Sequence, residues 1–350
     1  SLDNQLIGDC HFPLSALNQL RRDLVDRLQQ GSVGFSPSPS TPSSTTHHHL
    51  LPLITDYPAL GTPPKAALSI LCRTLDQVSA ALCSEAETIY CDFEDPRRYK
   101  DAVDLVRASK SNNSNPPPTI HLATPRILKP GETGYLKLIE RAEPDGLLLR
   151  NLAALEYYKH RSDFIKVGDF SLNVANPITA ALLKKHATLD LLTISYDLNI
   201  SQVLDLLTLA PPEWFEISLH QHMPMFHMEH CVFCTFLSEG TTWKDCGRPC
   251  EKHVVHLRDR VGQLHRLQAD VGCRNTLFNG RAQTGARFYE ALREKGLSRF
   301  RIELLDEDRP TAESTIRAYQ RLLSGESDST RLLEDVTALE KLGVTEGTLV

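Results

Sequence analysis

The 350-residue chain has no run of about 18 apolar residues, so hydropathy offers no membrane-spanning helix. Its opening, Ser1-Leu2-Asp3-Asn4, has neither the basic nor the apolar part of a secretory signal. It contains no His-Glu-x-x-His and no Gly-x-Ser-x-Gly, which leaves a zinc metalloprotease or a serine hydrolase without its usual sequence. No glycine-rich dinucleotide fingerprint follows its first strand-like segment. Net charge is only −6, which excludes a generic nucleic-acid coat. With 41% hydrophobic and 23% charged residues there is material for a sizeable core.

What is present is unevenly spread. Nine cysteines lie at 10, 72, 83, 91, 231, 234, 246, 250 and 273, and five of them fall within 43 residues. An odd count without a signal segment argues against a secreted disulfide framework and for a metal site in a reducing compartment. Charge is segregated as well. Residues 241–301 hold 13 Lys and Arg against 6 Asp and Glu, a net of +7, which leaves −13 for the remainder.

Four segments follow from patterning. Residues 1–30 read as an N-terminal helical arm, with Leu17, Leu20, Leu24 and Leu28 at helical spacing. Residues 31–62 read as a low-complexity linker, followed through by His47, His48 and His49, a polar run with no further metal signal. Residues 63–325 alternate strand and helix. Strands are expected at 68–72, 88–93, 119–123, 146–149, 164–167, 191–195, 214–219 and 300–305, each followed by a helix, the last two helices at 284–295 and 312–323. That order spells an α/β fold, a (β/α)8 TIM-like barrel, with a doubly wound open sheet as the competing architecture. Asn176-Pro177 reads as a helix start. Residues 326–350 read as a short helix and a tail.

One unit is irregular. A cysteine-rich insertion, 220–282, separates strand 7 from helix 7. Loops of that length are usually functional, and loops after barrel strands build the active face. Cys246-x3-Cys250 is a compact two-ligand turn, Cys231 and Cys273 complete four thiolates, and Cys234 competes for a place. By spacing alone, zinc and an iron–sulfur cluster stand level. His227 and His230 belong to a histidine-rich stretch able to handle protons or metal. Arg126, Arg248, Lys252, Arg274 and Asn275 are candidates for holding a carboxylate or phosphate. Asp169, Asn173 and Asn176, at the end of the fifth strand, are polar candidates for the same pocket.

The segments HQHMPMFHMEHCVFCTFLS, DCGRPCEKHVVHLRDR and ADVGCRNTLFN, in that order, resemble the signature of peptidase family U32, the collagenase-like protease family. GDFSLNVAN at 168–176 is similar to that family's segment at the fifth barrel strand, and Ile7-Gly8-Asp9 with FPLSALN at 12–18 resembles a linker of its longer members. The resemblance spans most of 1–325 and departs from the family at 31–49. It implies a C-terminal portion of a longer member, with another barrel ahead of it.

What the resemblance implies about activity differs from the family's name. Family members support oxygen-independent hydroxylation of a tRNA uridine, a 23S rRNA cytidine or ubiquinone precursors, the RNA types being associated with prephenate. EHCVF and CGRPCEKH look closest to the rRNA type. The implied cofactor is a 4Fe–4S cluster on Cys231, Cys246, Cys250 and Cys273, with Cys234 as alternate and zinc as the alternative metal. The implied partners are rRNA or tRNA and a small carboxylate metabolite. The competing readings are a non-catalytic docking module with a structural metal and, less favoured, a metalloprotease. The expected location is the cytoplasm, or the plastid stroma or another reducing organelle.

Overall fold

The computed structural model describes residues 14–31, 64–109, 117–340 and 342–350. The 31–62 linker (beyond Gly31), the His47–His49 run and Cys10 lie outside the described residues. By itself, the N-terminal unit contains one helix, α1 (Leu14–Gly31). Its Gln19 Nε2 donates to Asp23 Oδ1 at 2.8 Å, one turn on.

The second unit is a closed barrel. Strands β1 (Ala67–Cys72), β2 (Thr88–Cys91), β3 (Thr119–Ala123), β4 (Gly146–Leu149), β5 (Ile165–Gly168), β6 (Leu191–Thr193) and β7 (Phe215–Met228) pair in sequence, all parallel. A later strand, β11 (Arg299–Glu303), closes the ring by pairing in parallel with both β1 and β7. The open-sheet alternative is thereby excluded. Strands sandwiched between interior and helices must be apolar on both faces, and ALSILC and GLLL are buried throughout.

Helices α2 (Leu75–Leu82), α3 (Tyr99–Ser109), α4 (Gly134–Ala142), α5 (Leu152–Tyr158), α6 (Pro177–Ala187) and α7 (Ile200–Leu209) follow the first six strands. Their starts are written in the sequence. Thr74, Asn151, Asn176 and Asn199 adopt extended backbone, and each side chain accepts a bond from the first turn of its helix. Such a cap contributes about 1 kcal/mol. The main core lies between strands and helices, while Leu71, Tyr90, Ala123, Leu148, Val167 and Leu191 form a separate apolar cluster. Gly146 is needed for close approach: a Cβ there would sit 2.7 Å from both His121 Nε2 and Ile165 O.

The insertion differs from the expected loop. The seventh strand does not end at 219; β7 runs on to Met228 and leaves the barrel as the first strand of an antiparallel sheet. After α8 (Val232–Leu237) come β8 (Val255–Arg258), β9 (Leu264–Asp270) and β10 (Arg274–Thr284). HQHMPMFHM hides this strand because it lacks β-branched residues and contains Pro224. The proline stands opposite Phe278, where the register shifts, which is where a missing ladder donor is tolerated. The sheet has its own small core of Phe233, Leu267 and Leu277, packed with Met225, Met228, Cys231 and Cys250.

Helix α9 is Tyr289–Glu294, shorter than the expected 284–295, because 274–284 belongs to β10. It precedes β11, which is followed by α10 (Arg309–Leu323). The C-terminal stretch is more ordered than a tail: α11 (Ser329–Leu339) is followed by β12 (Val344–Thr345), which pairs with β10.

Candidate active site at the barrel mouth

Charged residues stand at or just past the C-terminal ends of the barrel strands, the face that carries function in this architecture. Arg73 follows β1, Asp92 β2, Arg126 β3, Arg150 β4 and Asp169 β5, while Glu216 lies in β7 and Arg301 and Glu303 in β11. Arg150 Nη1 donates to Asp92 Oδ1 at 2.6 Å and its Nε to Asp169 Oδ2 at 3.0 Å. Arg301 Nη2 reaches Asp169 Oδ1 at 2.8 Å and Glu303 Oε1 at 3.0 Å, and its Nη1 lies 3.2 Å from Glu216 Oε2. Ser218 and Tyr196 hydroxyls each donate to Glu303 at 3.0 Å. Burial alone would raise Asp92 and Asp169, but the surrounding guanidiniums hold both below the usual carboxylate range. Burial dominates at Glu216 and raises it.

Above the ring is a small cleft of about 10 Å³, room for about one water. Arg73, Asp92, Glu94 and Arg126 line it from the barrel, and Gln268, Asp270, Thr276 and Phe278 from the insert. Arg126 is held loosely: Nη2 is 3.8 Å from Asp92 and Nε 3.6 Å from Asp270, both beyond hydrogen-bond length. Its buried Nε has no hydrogen-bond partner, and neither has Gln268 Oε1. His227 places Nδ1 2.9 Å from Thr276 Oγ1 and 3.7 Å from Asp270. Burial lowers its pKa against the pull of Asp270, and its buried Nε2 lacks a partner.

The five cysteines of the insert gather beside this cleft. Cys231 caps α8, its Sγ accepting from Cys234 N at 3.4 Å. Cys250 sits on a single 3-10 turn, and in the β9–β10 turn Gly272 and Cys273 both have positive φ. Burial raises the thiols of Cys234, Cys250 and Cys273, and their neighbours raise them further. Cys231 and Cys246 act on Cys234 and Cys273, while Cys250, pushed up to about 12, feels Glu94 and Cys231. Such a set resists losing its protons until a cation is supplied. Among the described residues no three of these sulfurs lie within 4.8 Å of one another. A tetrahedral zinc thiolate, with bonds of about 2.3 Å, would need sulfur–sulfur edges of about 3.8 Å. The Cys234 thiol donates to Gly240 O at 3.2 Å and lies beside Cys246 and Cys231.

Several residues singled out from the sequence have other work. Arg274 is saturated by Glu132 at 2.8 Å and Glu229 at 3.1 Å, so it clamps the cysteine turn instead of facing a ligand. Asn275 is fully buried, accepting from Val232 N at 2.6 Å and donating to Arg274 O at 2.7 Å. Asn176 caps α6, accepting from Thr179 N at 2.9 Å, and Asn173 is an exposed left-handed residue ending a 3-10 turn. Neither lines the cleft. Arg248 and Lys252 are exposed, Arg248 paired with Glu251 at 2.9 Å. His230 is exposed, with Nε2 on Thr235 Oγ1. Asp169 and Arg126 remain at the mouth. Arg73, Asp92, Arg150, Glu303 and Arg301 were missed; for Arg73, Asp92 and Arg150 a charged residue directly after an apolar strand was the available signal, while Arg301 and Glu303 lie inside the mixed strand RFRIE.

The basic excess also shrinks. Arg266 pairs with Asp306, Arg287 with Glu346, and Arg274 and Arg301 are buried in ion pairs. Lys244, Lys252, Arg258 and Arg260 stay exposed on the insert, together with Phe226, Phe236 and Trp243.

Fold and site together define a (β/α)8 barrel with a cysteine-bearing β-insert at its C-terminal face. No family model and no curated protein matches the chain. Among solved structures, the U32 peptidase Mk0906 aligns over 73% of this chain and 98% of its own, at 12% identity and a TM-score of 0.40. A putative dihydrodipicolinate synthase family protein from Coccidioides immitis aligns over 79% of each chain, at 9% identity and 0.42. A class V chitinase from Cycas revoluta covers 72% and 98%, at 11% identity and 0.36. These scores are all below 0.5, so the barrel assignment rests on this chain's own strand pairings. No helix among the described residues is long and apolar enough to cross a membrane.

Proposed function

We propose that this chain holds a 4Fe–4S cluster on Cys231, Cys246, Cys250 and Cys273 and acts in oxygen-independent hydroxylation of an RNA pyrimidine, rRNA cytidine ahead of tRNA uridine. The observation that carries this is the gathering of those thiols beside a barrel-mouth cleft. When bound, the cluster would supply one-electron transfer or a Lewis-acid iron. The chain's own residues do the rest. Arg126, loosely paired and with a free Nε, receives a carboxylate co-substrate such as prephenate; of the arginine candidates it is the one that lines the cleft. His227, neutral by burial, holds or accepts a proton at Nε2. Exposed Phe236 and Trp243 offer faces for unstacked bases, and Lys244, Lys252, Arg258 and Arg260 meet phosphates.

Anaerobic purification should give a brown protein with about four irons per chain. A colourless protein with one zinc would remove the cluster. Nucleoside mass spectrometry of rRNA and tRNA from a deletion strain should show one hydroxylated pyrimidine missing, restored by the wild-type chain and not by Cys246→Ser. A specific observation favours a second reading, a docking module with a structural metal: the cleft admits little more than a water. An unchanged nucleoside profile with intact iron would select it.

A further inference from the structure

A second group of metal-capable side chains lies away from the cysteines. His220 and His222 lie on β7, Glu307 follows β11, and Glu340 ends α11. Ligand atoms of His220, Glu307 and Glu340 all fall within 4.8 Å of one another. His220 Nε2 is 3.7 Å from Glu340 Oε1; His222 Nε2 is 3.6 Å from Glu340 Oε2 and 4.0 Å from Glu307 Oε1. These separations are too long for hydrogen bonds. They are close to the roughly 3.4 Å edges of a tetrahedron with bonds of about 2.1 Å.

The surroundings aim the donors inward. His220 Nδ1 lies 3.1 Å from Tyr319 Oη, which Thr284 Oγ1 meets at 2.7 Å. His222 Nδ1 is 2.8 Å from Asn279 O; a carbonyl only accepts, so Nδ1 carries a hydrogen and Nε2 is the ring atom that faces the carboxylates. Metal-bound histidines are held in this way through their other nitrogen. His220 is fully buried with Nε2 unpartnered, and Glu307, 7% exposed, has Oε1 unpartnered while Oε2 accepts from Leu305 N at 2.6 Å. Two buried polar atoms without partners, pointed at the same carboxylate, are costly unless something bridges them.

We propose that His220, Glu307 and Glu340, with His222 within reach of both carboxylates, bind one divalent cation of the zinc, iron(II) or manganese(II) kind, fastening the C-terminal segment to the barrel. Imidazole with carboxylate and no thiolate selects that class. The site is independent of the cysteine cluster.

The test uses the full chain and cobalt(II) chloride. One cobalt should bind with visible bands lacking the sulfur-to-cobalt charge-transfer absorption and should raise the melting temperature. Glu340→Gln should abolish that binding while leaving iron content unchanged, and Tyr319→Phe should weaken it by about tenfold by loosening His220. Should Glu340→Gln fail to fold, X-ray absorption of the singly loaded wild-type chain decides by its shell of nitrogen and oxygen. Equal cobalt binding by wild type and Glu340→Gln, or sulfur in the first shell, would overturn the proposal, leaving a buried His222–Glu340 ion pair. Failure here leaves iron and RNA readouts untouched, so it is distinguishable from failure of the cluster reading.

Discussion

Two sets of ionisable groups stand side by side at the barrel mouth, and they are built in opposite ways. In the ring, Arg73, Arg150 and Arg301 alternate with Asp92, Asp169, Glu216 and Glu303, so each of these buried charges meets its opposite within the chain, while Arg126 is held more loosely beside them. In the insert, five thiols face one another and Glu94, groups that can only become negative. The first set pairs opposite charges, while the second gathers thiols that burial and one another hold in the neutral form. An observed cluster of polar residues therefore says little about function until its charges are summed. A balanced network is an element of the fold, and an unbalanced one is a request for a ligand.

The comparison can be broken most severely at Arg301. Arg301→Met leaves Asp169, Glu216 and Glu303 short of a buried partner and should cost about 3–5 kcal/mol in urea unfolding. A loss under about 1 kcal/mol would show that the ring is not self-neutralising. On the other side, Cys250→Ser should remove nearly all the iron, read by visible absorbance and metal analysis, whereas Cys234→Ser should retain it. Equal losses would end the distinction between ligand and bystander.

A smaller effect comes from His121, buried with both ring nitrogens unpartnered and its pKa lowered by burial to about 4. Its neutral form is favoured in the fold and the unfolded value is about 6.5. The stability it contributes is full above about 6.5 and falls away as pH drops through that range toward 4. Stability measured from pH 7 to 4 should lose that component of its slope in His121→Leu. Smaller again, Asn176→Ala should cost about 1 kcal/mol through the lost cap and leave iron and the modified nucleoside unchanged. An activity loss beyond the stability loss would return Asn176 to the site. Least of all, Arg248→Ala, on an exposed pair, should shift stability by no more than about 0.5 kcal/mol.

Much of the barrel was legible. Apolar runs such as ALSILC and GLLL announce strands buried on both faces, and Thr74, Asn151 and Asn199 announce the helices between them. The gathering of the insert's cysteines was legible because thiols in a turn such as Cys246–Cys250 keep their proximity at short range. The β-insert was not, since its strand is held by pairing with β10 from far along the chain instead of by local propensity. Arginine roles were the least legible. Arg274, Arg126 and Arg301 look alike in sequence, yet one clamps a turn, one is loosely held and one is sealed in the core.

By itself the sequence determined the alternation of strand and helix, the caps, and the group of cysteines in one insertion, because each depends on neighbours within a few residues. The tertiary structure decided which charges are spent and which are spare. Glu303, Asp169 and Arg301 meet only when the ring closes, and His220, Glu307 and Glu340 meet only when the C-terminal segment returns to β7. Coulomb attraction depends on distance in space, and distance along the chain does not report it.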